Sequence, residues 1–175
     1  MGTPEIKVFQ IQHDEFQFLG IEYPLQNPDF GKIWENFDEM GGYDVVQKYH
    51  KSPYGIMVVW HNNNPEYNTY FVGTIVDKEK VDAIPAGYTL MKFPAREFLV
   101  VTHDWLPTLE EAVGEGNAQC GRYAENAPIP DGYVRYDGPG SQIVIIERQD
   151  FNDFCKSNDI GCRYEWWVPI KRVVH

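Results

Sequence analysis

Basic charge is what this sequence has least of. Its 175 residues carry 15 Lys and Arg against 26 Asp and Glu, a formal net charge of −11. Nucleic-acid surfaces hold phosphates with clustered cations, so direct nucleic-acid binding is not expected. Long apolar runs are missing as well. None approaches the ~20 residues of a membrane helix, and the first residues lack the basic and apolar regions of a signal peptide. Cysteine is sparse: Cys120, Cys155 and Cys162 make an odd number, without metal-ligand spacing. Cys155 and Cys162 could meet across a loop, a pairing that spacing alone does not decide. No nucleophile elbow, phosphate loop or zinc motif occurs. These absences predict a reduced, cytoplasmic protein with no metal and no cofactor.

Aromatic residues are plentiful, at 15% of the chain. The length suits one domain with a sizeable core. The most informative stretch is Arg163-Tyr164-Glu165-Trp166-Trp167-Val168-Pro169-Ile170-Lys171, whose aromatic and β-branched residues predict a strand. Alternation places Glu165 and Trp167 on one face and Tyr164, Trp166, Val168 and Ile170 on the other. An acid among rings is costly to bury ionised unless its pKa rises or a cation meets it. That cation is either a ligand, which aromatic faces also attract, or an internal Arg or Lys. The stretch by itself leaves both open.

Along the chain, Lys7 to Gln12 and Phe16 to Tyr23 read as strands joined at 13–15. A helix follows, capped by Asn27 with Pro28 at its first position, and Phe30, Ile33, Trp34, Phe37 and Met40 fall on one face. Gly41-Gly42 ends or kinks it. Tyr54 to Trp60 and Thr69 to Asp77 form a hairpin around a polar loop, and Lys78 to Ala86 is a charged connection. The second half repeats the plan. Gly87 to Phe93 and Arg96 to His103 are strands around Pro94-Ala95, and a helix opens with a Thr108/Glu111 capping box. Gly114, Gly116 and Gly121 weaken that helix, by about 1 kcal/mol each. A loop over 128–140, a strand over 141–148 and a polar excursion over 150–159, with a helical turn at 151–155, lead to the closing strand. Two β-β-α-β-β units, about 5–77 and 87–171, predict an α+β fold: one antiparallel sheet, both helices on one face and a central groove.

This layout resembles the GyrI-like small-molecule-binding domain, the effector module of AraC- and MerR-type multidrug regulators and a relative of the SOUL haem-binding proteins. The likeness rests on Phe18 to Tyr23 in an opening hairpin, Trp34 on the first helix, Tyr54-Gly55-Ile56 with Tyr70-Phe71-Val72-Gly73, and above all Tyr164 to Lys171. It implies that Glu165 is the groove acid for a hydrophobic, cationic ligand. Trp167 beside it, Trp34 above the sheet, and then Tyr70 and Trp60 are the candidate rings. The chain departs from the regulators in that its first strand starts by about Lys7, with no helix-turn-helix before it. A binding module without its own DNA-binding domain is therefore the leading expectation.

The same resemblance implies alternatives. Some relatives hydrolyse reactive cyclopropane-type compounds with a groove glutamate, which would make Glu165 a general base, with Tyr70 or Tyr164 positioning the electrophile. Protein binding, as in the gyrase inhibitors, would need a dense acidic stripe, whereas the acids here are scattered. Haem would need an exposed axial ligand such as His61 or His103.

Overall fold

A computed structural model describes residues 5–62, 68–150 and 161–173. The expected turn over 151–155, the tip of the polar loop at 63–65 and Cys155 lie outside the described residues. Nine strands form one antiparallel sheet: β1 (Ile6–His13), β2 (Phe16–Pro24), β3 (Met57–His61), β4 (Thr69–Val76), β5 (Thr89–Phe93), β6 (Arg96–His103), β7 (Tyr133–Arg135), β8 (Ile143–Asp150) and β9 (Arg163–Arg172). The strand order is β1-β6-β9-β8-β3-β4-β2-β5, with short β7 added along β9. The fold is thus α+β, as the alternation of elements predicts.

The opening hairpin is not one. β1 pairs with β6, while β2 pairs with β4 and β5. Each half therefore lends its first strand to the other half. The residue pattern gives the reason. β1 carries Lys7, Gln10 and Gln12 and is largely exposed, which suits a sheet edge. β2 is mostly buried and takes an interior place. The β3–β4 hairpin forms as expected.

Only two residues, Asp14 and Glu15, separate β1 at one end of the order from β2 near the other. The sheet must curl to join them. Its concave face is filled by Phe18, Met57, Val59, Phe71, Phe93, Phe98, Ile146 and Trp167. The convex face carries the helices, two cores and a cleft between them.

On the first half lie α1 (Phe30–Glu39) and α2 (Gly42–Tyr49), packing Ile33, Phe37, Val46 and Tyr49 on Leu19, Val58 and Val72. Asp29, not Asn27, caps α1: its carboxylate accepts from Lys32 N at 3.1 Å, while Asn27 sits in the left-handed region at φ 49°. Gly41, at φ 73°, makes the break before α2. On the second half, α3 (Leu109–Glu111) runs through a π-helical turn (Ala112–Gly116) into α4 (Asn117–Glu125), which sets Cys120 and Ala124 on Leu99, Val101 and Val168. Thr108 caps this segment, accepting from Glu111 N at 3.2 Å and donating to its carboxylate at 3.0 Å. Thr108→Ala is expected to lose about 1 kcal/mol of stability in urea unfolding. No helix among the described residues is long and apolar enough to cross a membrane.

Two of the three glycines that weaken this helix lie against packed rings, while a Cβ on Gly114 would meet nothing within 4 Å. A Cβ on Gly116 would collide with His103 Nε2, and one on Gly121 would lie 3.2 Å from the Trp166 ring. The helix gives up propensity so that an imidazole and an indole can lie close against it.

Candidate functional site

The cleft between α1 and α4 is floored by the middle of the convex face. Trp60 on β3 stands beside Tyr70 on β4 and Ile145 on β8. Glu147, on β8, lies between Val58 and Trp166. Phe30 and Trp34, one turn apart on α1, set their rings 5.2 and 6.3 Å from Tyr70. Trp60 lies 5.5 Å from Tyr70 and 6.2 Å from Trp166. Trp166 is held from the α4 side, donating through Nε1 to Asn117 Oδ1 at 2.8 Å. Phe30 is 41% exposed and forms the open rim of the box.

At the bottom is a carboxylate. Glu147 is 4% exposed. Its Oε2 accepts from Trp60 Nε1 at 2.6 Å and its Oε1 from the Tyr164 hydroxyl at 2.9 Å. Both donors are neutral, and no ion pair reaches Glu147 among the described residues. Burial pushes its pKa up to about 7, with the two hydrogen bonds only partly opposing it. The neighbouring hydroxyls respond in kind. Burial first and the Glu147 charge second raise Tyr70, and the same two causes lead for Tyr164. A buried acid ringed by π-faces and satisfied only by neutral donors favours a visiting cation.

Glu165 and Trp167 are elsewhere. Strand alternation puts them on the concave face, away from Trp34, Tyr70 and Trp60. Glu165 is 3% exposed, but its charge is met internally. Its Oε1 accepts from Arg148 Nη1 at 3.1 Å and Trp167 Nε1 at 3.0 Å, and Arg163 lies 3.8 Å from its Oε2. Arg148 also lies over the Tyr54 ring at 5.6 Å, and Tyr54 donates to His13 Nε2 at 2.8 Å. Of the two cations the terminal strand leaves open, the internal arginine is the one beside Glu165. The predicted residues thus divide: Trp34, Tyr70 and Trp60 share one site, and Glu165 and Trp167 share another environment.

Glu147 and Trp166 complete the cluster of Trp34, Tyr70 and Trp60 and are not among the residues that the terminal strand and the resemblance single out. A signal for Glu147 was present. It closes the aliphatic run Ile143-Val144-Ile145-Ile146, the same kind of setting that singled out Glu165. The two histidines that a haem would have called on are both buried. His61 meets Glu22 at 3.2 Å. His103 accepts from Tyr164 N at 2.9 Å through Nε2, so its Nδ1 carries the proton given to the Asp104 carbonyl at 2.6 Å. Burial lowers its pKa and keeps it neutral.

A curled antiparallel sheet with helices on one face and an aromatic cleft between the halves defines the GyrI-like small-molecule-binding fold. The chain belongs to the Cass2 family, the integron-associated effector binding proteins, whose family model matches residues 11–170. Among solved structures, SAV2435 bound to tetraphenylphosphonium is 15% identical, with 94% of each chain covered and a TM-score of 0.67. The C-terminal domain of EcmrR is 13% identical, covering 97% of this chain and 99% of that one, with a TM-score of 0.55. An integron cassette protein from the mobile metagenome of Vibrio cholerae is 10% identical, with 95% of each chain covered and a TM-score of 0.54. At these identities the likeness is one of fold. No curated protein sequence matches the chain.

Proposed function

We propose that the protein binds hydrophobic aromatic cations in the convex cleft, with Glu147 as the counter-charge and Trp60, Tyr70, Trp166, Trp34 and Phe30 as the stacking surfaces. The observation that carries this is the environment of Glu147: a buried carboxylate whose bonding partners, Trp60 and Tyr164, are both neutral. A cation arriving there meets a charge in a low-dielectric site, where attraction is stronger than in water. The tetraphenylphosphonium bound to SAV2435 is a ligand of this chemistry, which supports the choice of class. Glu165 is assigned a structural part, because Arg148 and Arg163 already balance it.

The test is a titration of tryptophan fluorescence with tetraphenylphosphonium and with its uncharged analogue tetraphenylmethane-type probe, repeated across pH. Saturable quenching by the cation alone is expected. Since the Glu147 pKa lies at about 7, the carboxyl is protonated below that value and offers no counter-charge. Affinity for a permanent cation therefore rises from about pH 5.5 to about pH 8. Equal binding of the neutral probe, or an affinity indifferent to pH, would remove the acid from the account.

A further inference from the structure

Beside the aromatic box lies a cavity of about 440 Å³, bounded by Trp60, Trp166, Val144 and Ile145 of the sheet and by Ala118 and Gly121 of α4. Its size is that of a drug-like ligand pocket, roughly 300–1,000 Å³. Glu147 does not line it. Trp60 does, and the same indole donates its N–H to Glu147 at 2.6 Å, so this ring is the wall between cavity and carboxylate.

We infer that this cavity is an outer subsite that takes an uncharged aromatic arm of a ligand whose cationic centre is held at Glu147, with Trp60 as the partition between the two. The inference rests on the cation-binding reading above. Three observations support it. The cavity shares Trp60 and Trp166 with the box, so the two adjoin along both indoles. Its floor is two indoles and two aliphatic side chains, which favour a flat apolar group. The charges at its rim are already spoken for or face water. Arg135 donates to Asp137 at 2.8 Å and to the Ala124 and Glu125 carbonyls, and Arg122 is 67% exposed beside Glu115. None of the charged side chains that line the cavity, Arg122, Glu125, Arg135 and Asp137, is buried, so its interior is apolar.

On this reading α4 sets the ligand's size. Ala118 and Gly121, one turn apart, leave the space, and a longer side chain at 118 would fill it without touching Glu147. Leucine and methionine are strong helix formers, so the substitution suits α4. Ala118→Leu and Ala118→Met are to be titrated with tetraphenylphosphonium and with the smaller benzyltrimethylammonium, alongside Glu147→Gln. The expected result is a loss of at least about tenfold in affinity for tetraphenylphosphonium, with benzyltrimethylammonium unchanged within about twofold. Undiminished tetraphenylphosphonium binding by both Ala118 variants, or an equal loss for both cations, would overturn the subsite. Undiminished binding of both cations by Glu147→Gln would instead overturn the cation site on which it rests.

Discussion

Glu147→Gln is expected to weaken tetraphenylphosphonium binding by on the order of 100-fold, about 3 kcal/mol, the scale found when one partner of a desolvated charge pair is removed. The same change should make the protein more stable at neutral and alkaline pH. The sign follows from the shift. The Glu147 pKa is about 7 in the fold against an ordinary value of 4.5. The unfolded chain therefore ionises first, and the folded state is penalised as pH rises from the lower value through the higher. Above about pH 7 the penalty is complete, on the order of 3 kcal/mol, and at about pH 4 it is absent. Glutamine avoids it, because its amide can accept from Trp60 and donate to Tyr164. Calorimetry of both proteins at about pH 4 and about pH 8 checks this: the melting temperatures coincide at the lower pH, and the variant melts several degrees higher at the upper. Such a cost to stability is what the proposed binding role of Glu147 leads one to expect.

Glu165→Gln should behave in the opposite way. It leaves Arg148 and Arg163 facing a neutral amide in a site where Arg148 is only 11% exposed. Breaking one partner of such a buried pair costs about 3 kcal/mol or more, which for a chain of this size is a fall in melting temperature of roughly 10 °C. Cation affinity should stay within about twofold of wild type. Loss of binding with an unchanged melting temperature would return Glu165 to the role that the terminal strand led one to expect.

The contrast between these two acids shows what was legible in the sequence. The α+β plan, the β3–β4 hairpin and the Thr108 cap follow from local patterns of period 2 or 3.6, whereas the rings Trp34, Tyr70 and Trp60 come from the family resemblance, since the faces of β3 and β4 are not fixed by local pattern. The alternation in Tyr164 to Ile170 correctly separates Glu165 from Trp166. It cannot say which face the helices cover, since that depends on the register between strands distant in sequence. The pairing of Glu165 with Arg148 arises from the β8–β9 register, 17 residues apart in sequence, and so does the bond from Tyr164 to Glu147. The exchange of β1 and β5 between the halves was hidden for a similar reason. A two-residue turn usually signals a hairpin, and only the curl of the whole sheet turns it into a crossover between its two ends. Gly116 and Gly121 of the second helical segment read as weakness until His103 and Trp166 are placed against them.

The most direct test of the central claim is to follow the Glu147 side-chain carboxyl by carbon NMR through a pH titration, with and without saturating tetraphenylphosphonium. In the free protein the resonance should titrate near pH 7, from the value of about 7 that burial gives it. With the cation bound, the midpoint should fall by about two units, the same 100-fold coupling read from the proton's side. A carboxyl whose titration is unmoved by saturating cation would mean that the ligand does not meet Glu147, and the assignment of the site would fail.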